Sequence, residues 1–325
     1  MDFLEWLPLL AFIGGEPSVS KGRLYPIILD GRWGYMDSSG NVVIGPRFDF
    51  AFGFTSGLAA VSLGADSSGG RWGFIDKTGK EAIPLDFDGA GPFFEKLAPV
   101  RRGGMWGFID TTGREAFDGN FDEVHGFREN LANVKVGGKW GYIDKTGGFI
   151  IPARFDDANR FSEGLASVLE EDGYGFIDKT GAYAFEQKFD AAGSFSDGLA
   201  PVSQGGYWGY IDAKGNFAIP PFYNGANRFN EGLAFVKQNK KMGLINKAGA
   251  FVVEPSFDAA HTFSEGLAFV GVGGKYGYID TTGTEVIERM YDSAAAFKGG
   301  LAFVEVESSF GYIDKNGRYV WHPTR

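Results

Sequence analysis

The stretch KWGYIDKTG (residues 139–147) recurs almost letter for letter as RWGFIDKTG (71–79) and YGYIDTTG (276–283). Aligning the chain on the first glycine of this motif gives nine copies. The residue before that glycine is Trp33, Trp72, Trp106, Trp140, Tyr174, Trp208, Met242, Tyr276 and Phe310. The first interval is 39 residues and every later one is 34. A fixed period of this length means a repeat architecture. Helical repeats share the period, but apolar residues do not persist at i, i+3, i+4, i+7, and each copy carries several glycines. The units are therefore strands and turns.

The fourth unit shows how. LANVKV (131–136) alternates as a strand, and Gly137-Gly138 suits a two-residue hairpin turn, because glycine accepts positive φ. KWGYID (139–144) is the return strand. DKTG (144–147) makes a second turn, in which the Asp144 side chain accepts from the backbone two residues on and Gly147 takes the left-handed position. GFIIP (148–152) is a third strand, which Pro152 is expected to end. The crossover ARFDDANRFSEG (153–164) leads to the next unit, with room for a short strand or one helical turn. The expected unit is a three-stranded meander plus a crossover. The five extra residues of the first interval fall in GADSSGG (64–70), a hairpin tip, where insertions are tolerated. Trp140 and Tyr142 point to one face of the middle strand and Ile143 to the other, so each sheet needs neighbours on both sides.

Composition narrows the function classes. The chain has 325 residues, too many for one ordinary core, with 51 Gly and 16% aromatic residues, which fits short strands and tight turns. Its formal net charge is −10, and its densest basic cluster is Lys237, Lys240 and Lys241, a solvated tip; nucleic-acid binding is excluded on that basis. Having no cysteine, it has no disulfide, zinc–thiolate site or cysteine nucleophile. No apolar run reaches the ~18 residues of a membrane span. LPLLAFIGG (7–15) is similar to a signal-peptide core, but the acidic MDFLEW precedes it where a signal needs Lys or Arg. The expected organisation is an apolar leader or N-terminal cap over 1–22, nine repeats over 23–321 and a tail over 322–325. The cytoplasm is the expected location, and secretion or the cell envelope is the alternative.

The recurring residues read as structural. The nine positions before the motif glycine would suit ligand stacking, yet Met242 and Phe310 occupy two of them, as packing allows. Asp37, Asp76, Asp110, Asp144, Asp178, Asp212, Asp280 and Asp314 share one turn position with Asn246, and Asn cannot act as a general acid or base. A second row, Asp49, Asp88, Asp122, Asp156, Asp190, Asp258 and Asp292, contains Asn224, which favours local hydrogen bonding over calcium. Gly57, Gly164, Gly198, Gly232, Gly266 and Gly300 mark a left-handed position that Asn130 also fits; Lys96 there predicts an irregularity. His125, His261 and His322 have no nucleophile partner in a known motif. The expectation is no enzyme, no cofactor and no metal.

On these residues the chain resembles the WG-repeat family, through W-G-[YF]-I-D-K-T-G and F-D-x-A-x-x-F-S-E-G-L-A-x-V over about residues 23–321. The resemblance implies a bacterial repeat protein, often secreted or envelope-associated, and carries over no catalytic residue.

Two all-β architectures fit. An open, twisted β-solenoid-like array is expected, because propeller blades run ~40–45 residues with four strands. In addition, no split blade is visible to latch a ring, and the apolar leader and Trp321 look like end covers. A closed β-propeller is the alternative. The expected function is a non-catalytic scaffold or binding module for a protein or cell-envelope polymer, reading through the tips at 64–70 and 237–241 and the crossovers. The alternatives are a cell-wall or glycan-binding domain, with Tyr207 and Phe52 as exposed aromatics, and a hydrolase with a dispersed carboxylate pair.

Overall fold

The hairpin turns form as glycine chemistry dictates. Gly205 and Gly206 take φ of 61° and 80°, and where the pair is Asn239-Lys240 both residues still reach 50° and 70°. A computed structural model describes residues 22–64 and 70–324, and among them there is no helix. The strands fall into nine sheets.

The crossover contains a short strand. In the sixth sheet, Ala191–Ala192 (strand a) pairs with Ala200–Gln204 (b), which pairs with Tyr207–Ile211 (c) and then with Phe217–Tyr223 (d). A two-residue edge strand is how 34 residues supply the four strands of a blade. Strand d is also longer than expected. In the fourth repeat it runs Phe149–Phe155, through Pro152. Trp140 faces Phe155 while Tyr142 faces Ile151, so the strand bulges between them. Pro152 sits in that bulge, where its missing N–H breaks no ladder bond.

The expected open array is overturned. The protein is a nine-bladed β-propeller, in which the last blade packs on the first. Contacts divide the chain into two compact units. One comprises Met1–Gly137, Asp144–Gly148 and Gly299–Arg325, and the other Gly138–Ile143 and Phe149–Lys298. The first unit therefore holds both chain ends. There Tyr25, Ile27 and Met36 of the first blade are buried together with Leu301 and Tyr312 of the ninth, with Phe303, Val320 and Trp321 packed against them. Trp321 is thus an inter-blade contact and not an end cover. The leader at residues 1–21, including its apolar run, lies outside the described residues. Strand d of the ninth blade runs Tyr319–Thr324, past the repeat boundary expected at 321.

At the closure, side chains of the ninth blade reach the described edge of the first. In the second blade the carbonyls of Ala60 and Ser62 accept from Phe52 N and Asp49 N, at the short strand's edge. Pro26 and Ile28 hold the corresponding register in the first blade, whose sheet has three described strands. Their carbonyls accept instead from the Tyr312 hydroxyl (2.8 Å) and the Thr324 hydroxyl (2.6 Å) of the ninth blade.

Other junctions repeat one set of contacts. In the second unit the buried Tyr142, Tyr210 and Tyr278 donate to the carbonyls of Asn159, Asn227 and Ala295, each seventeen residues on. Turn glycines pack on an aliphatic residue of the preceding blade: a Cβ on Gly181 would lie 3.1 Å from Ile151, and one on Gly283 would lie 2.2 Å from Val253. Carboxylates beside three of the left-handed glycines reach the next blade: Glu163, Asp197 and Glu231 accept from the N–H of Gly198, Gly232 and Gly266, at 2.9, 2.7 and 2.9 Å. Lys96 produces no irregularity: it takes φ of 72°, and Phe94 and Leu97 still bridge.

Removing either closing hydroxyl leaves a backbone carbonyl short of a donor. Thr324→Val and Tyr312→Phe should each lower unfolding free energy by about 1–2 kcal/mol, read from urea denaturation. Wild-type stability in both variants would refute this account of closure.

Candidate interaction surface

The nine positions before the motif glycine line the blades. Trp33 and Trp140 are buried and the other seven are half-buried; none is exposed. Their rings meet neighbouring side chains. Trp72 lies 5.6 Å from Phe50 and 5.8 Å from Phe52, Arg101 sits over Trp106, and Phe310 stacks on Phe303 at 5.3 Å.

The glycine that follows carries a tighter constraint, which the sequence reading passed over. A Cβ on Gly209 would lie 2.5 Å from Ile219 O and 2.7 Å from Pro221 N; on Gly141, 2.6 Å from Ala153 N. Gly34, Gly73, Gly243, Gly277 and Gly311 meet the same backbone. Strand d bulges directly over this position. In the fifth blade the Tyr183 ring covers Gly175 instead. The signal was present in the sequence, since glycine holds all nine copies while its neighbour varies.

The first carboxylate row caps turns. Asp144 Oδ1 accepts from Thr146 N (2.8 Å), Thr146 Oγ1 (2.6 Å) and Gly148 N (3.2 Å). Asn246 makes the same two backbone bonds to Ala248 and Ala250. The threonine hydroxyl, helped by the backbone N–H groups, holds Asp76, Asp110, Asp144, Asp178 and Asp280 below the ordinary carboxylate range.

The second row clasps neighbouring tips. Asp88 accepts from Arg71 (3.1 Å) at one tip and from Gly103 N (2.7 Å) at the next. Lys241 and Gly273 N hold Asp258 likewise. Arg32–Asp49, Lys139–Asp156 and Lys275–Asp292 make further pairs. Exposed pairs of this kind contribute at most about 1 kcal/mol each. At four tips the cation is replaced, by Met105, Gly173, Tyr207 and Ser309. Opposite Tyr207 the acid is replaced too, by Asn224.

The perturbed groups do not form a catalytic pair. Burial raises Tyr142, Tyr210, Tyr278 and Tyr312 far above the ordinary phenol value, and each donates to a backbone carbonyl. Burial, then Arg228, lowers His261, whose ring stacks 5.0 Å from Phe269. His125 Nδ1 is 2.7 Å from the Asn133 amide. Among the described residues no three His, Cys, Asp or Glu side chains are grouped to hold a metal. Nor is any helix there long and apolar enough to cross a membrane.

Exposed apolar side chains concentrate elsewhere, on the d strands. In the second unit these are Phe149, Ile150, Phe222, Val252, Val286 and Met290, with Tyr183 on the matching segment of the fifth blade. Of the two aromatics expected at the surface, Tyr207 is 50% exposed, but Phe52 is buried at 3%, packed on Trp72 and Phe50. The tip at 237–241 is ordinary hairpin closed by the Lys241–Asp258 pair; residues 65–69 of the other expected tip lie outside the described residues.

Comparison with known proteins agrees with this geometry. A family model described as "WG containing repeat" matches residues 33–65, 72–106, 106–140, 140–173, 174–208, 208–241, 242–276 and 276–308. No curated protein matches the sequence significantly. The fold is similar to the crystal structure of a eukaryotic initiation factor, with a TM-score of 0.66 and 12% identity, covering 93% of this chain and 96% of that one. A dihydro-heme d1 dehydrogenase, NirN, in complex with DHE aligns at a TM-score of 0.49 and 13% identity, over 85% of this chain and 74% of that one. At such identities the likeness concerns fold alone.

Two predictions follow from the turns and the bulge. Gly209→Ala should cost about 3 kcal/mol or more, because backbone blocks the new atom, whereas Trp208→Met, which copies Met242, should cost about 1–2 kcal/mol. Equal losses in urea denaturation would refute the ranking. The depressed carboxylates stabilise the fold above their unfolded value of ~3.9, and that contribution is lost as pH falls through their lower folded values. Asp144→Asn should therefore be less stable than wild type at neutral pH and show a shallower loss below about pH 4, the two converging in acid; a steeper acid limb in the variant would contradict this sign.

Proposed function

We propose that this chain, which belongs to the WG-containing-repeat family, is a non-catalytic interaction scaffold whose partner is a protein or a cell-envelope polymer. One observation carries the reading. The recurring residues are consumed in packing one blade on the next, while the exposed apolar side chains lie at positions that differ between blades. Phe149 and Ile150 of the fourth blade stand where Glu81 and Ala82 stand in the second. A repeated frame with variable exposed positions is how repeat proteins build binding surfaces. Apolar side chains on strands at a sheet edge also offer a partner both contact area and unpaired backbone. The chemistry supports the same reading, since the strongly raised groups are buried tyrosines that donate to backbone carbonyls, and the lowered aspartates hold turns.

The test is capture from extracts of the protein's own cells. Ile150→Lys combined with Val252→Lys should abolish recovery of the wild-type partner and leave thermal unfolding within a few degrees of wild type. Partner capture that survives charge at every exposed d-strand position would overturn the edge as the surface. Turnover of a substrate by the purified protein would overturn the scaffold itself.

A further inference from the structure

Strand b of the third blade carries a charge that its own sheet does not answer. In the fourth blade Lys135 of strand b (Ala132–Val136) faces Glu123 of strand a and pairs with it at 2.6 Å. In the third blade Arg101 holds the same position, and Gly89 faces it from strand a. A glycine has thus taken the place of the counter-charge. Lys237 of the seventh blade also faces a glycine, Gly225, but it is exposed, where water solvates its charge; Arg101 is half-buried.

The Arg101 guanidinium is short of acceptors. Its Nε is buried with no hydrogen-bond partner, and Nη2 makes one long contact, to Asp88 O at 3.4 Å. No other hydrogen bond to this side chain is found among the described residues. A half-buried cation in this condition is costly, and an ionised acceptor is the strongest partner it can gain. The guanidinium lies over Trp106, 5.7 Å from the ring centre, and lines a cavity of ≈530 Å³. Leu63 and Arg71 of the second blade bound the same cavity, with Asp88 and Gly104. Asp88 is already spent, since it accepts from Arg71 at 3.1 Å and from Gly103 N at 2.7 Å. Two guanidinium groups against one carboxylate leave one positive charge over.

We propose that this cavity binds a small organic acid through its carboxylate, held end-on by Nη1 and Nη2 of Arg101. The planar fork of arginine matches the two oxygens of a carboxylate. A single uncompensated charge matches a monoanion. A phosphate monoester, at about −1.5 to −2, would set its second charge against Asp88. The volume is that of a small-molecule site, and Leu63, 37% exposed, offers a contact to the apolar part of the acid. This goes beyond the scaffold reading and uses neither Ile150 nor Val252, so either can fail without the other.

The whole protein is titrated with benzoate and hexanoate, with benzamide and hexanamide as uncharged controls and inorganic phosphate as the competing anion, followed by calorimetry and by tryptophan fluorescence. Saturable binding of at least one carboxylate is expected, tighter than its amide and than phosphate by about tenfold or more. Two variants copy other blades. Arg101→Ser reproduces Ser62 and Ser203, which face Trp72 and Trp208 as Arg101 faces Trp106. It should fold with a thermal midpoint near wild type and weaken the carboxylate by about tenfold or more. Gly89→Glu supplies the acid that Glu123 supplies in the fourth blade. Its Cβ would meet Trp106 at 3.4 Å and Arg101 at 3.5 Å, ordinary contact distances. This variant should raise the thermal midpoint and also lose the carboxylate. No saturable binding by either carboxylate overturns the proposal. So does equal affinity for the amides or for phosphate, or undiminished affinity in either folded variant. Binding that appears only after Asp66→Asn overturns it as well, since the acid answering Arg101 would then be the chain's own.

Discussion

The backbone of strand d passes so close to the motif glycine that a methyl group has no room there. At Gly34, Gly209 and Gly277 the nearest backbone oxygen would lie 2.4–2.5 Å from an added Cβ. That approach holds the bulge against the middle strand. The bulge accommodates Pro152 and turns Phe155 inward, opposite Trp140. In the blades that carry the bulge, this geometry sets how strand d lies on the middle strand. The aromatic residue before the glycine fills the space that remains, which explains why Met242 serves as well as tryptophan.

Much of the blade was legible because its signals are local. Paired glycines fix the hairpins, the aspartate and glycine of each DKTG stretch fix the second turn, and the constant interval fixes the repeat. The two-residue strand stayed open against a helical turn, since Ala191 and Ala192 are too few to show alternation. Pro152 misled because proline ends a regular ladder, and the bulge in which it sits depends on Gly141, eleven residues earlier in sequence. Closure was illegible for another reason. Its bonds join Tyr312 to Pro26 and Thr324 to Ile28, pairs that no interval of the repeat predicts. Phe52 looked like a surface aromatic from spacing alone, but Trp72 of its own blade covers it.

The charge pattern is informative where it lapses. Repetition provides eight internal controls for each position, so a substitution in one blade can be compared with its counterparts in the same molecule. Asn246 keeps the turn without the charge, and Lys96 keeps a left-handed turn without glycine. Tyr207 and Asn224 differ in kind, since they dissolve a contact and put nothing in its place.

Among the described residues, the joint between the ninth and first blades is made by side chains, Tyr312 and Thr324 reaching the carbonyls of Pro26 and Ile28. Duplication or loss of coding sequence in multiples of one repeat lengthens or shortens such an array by whole modules.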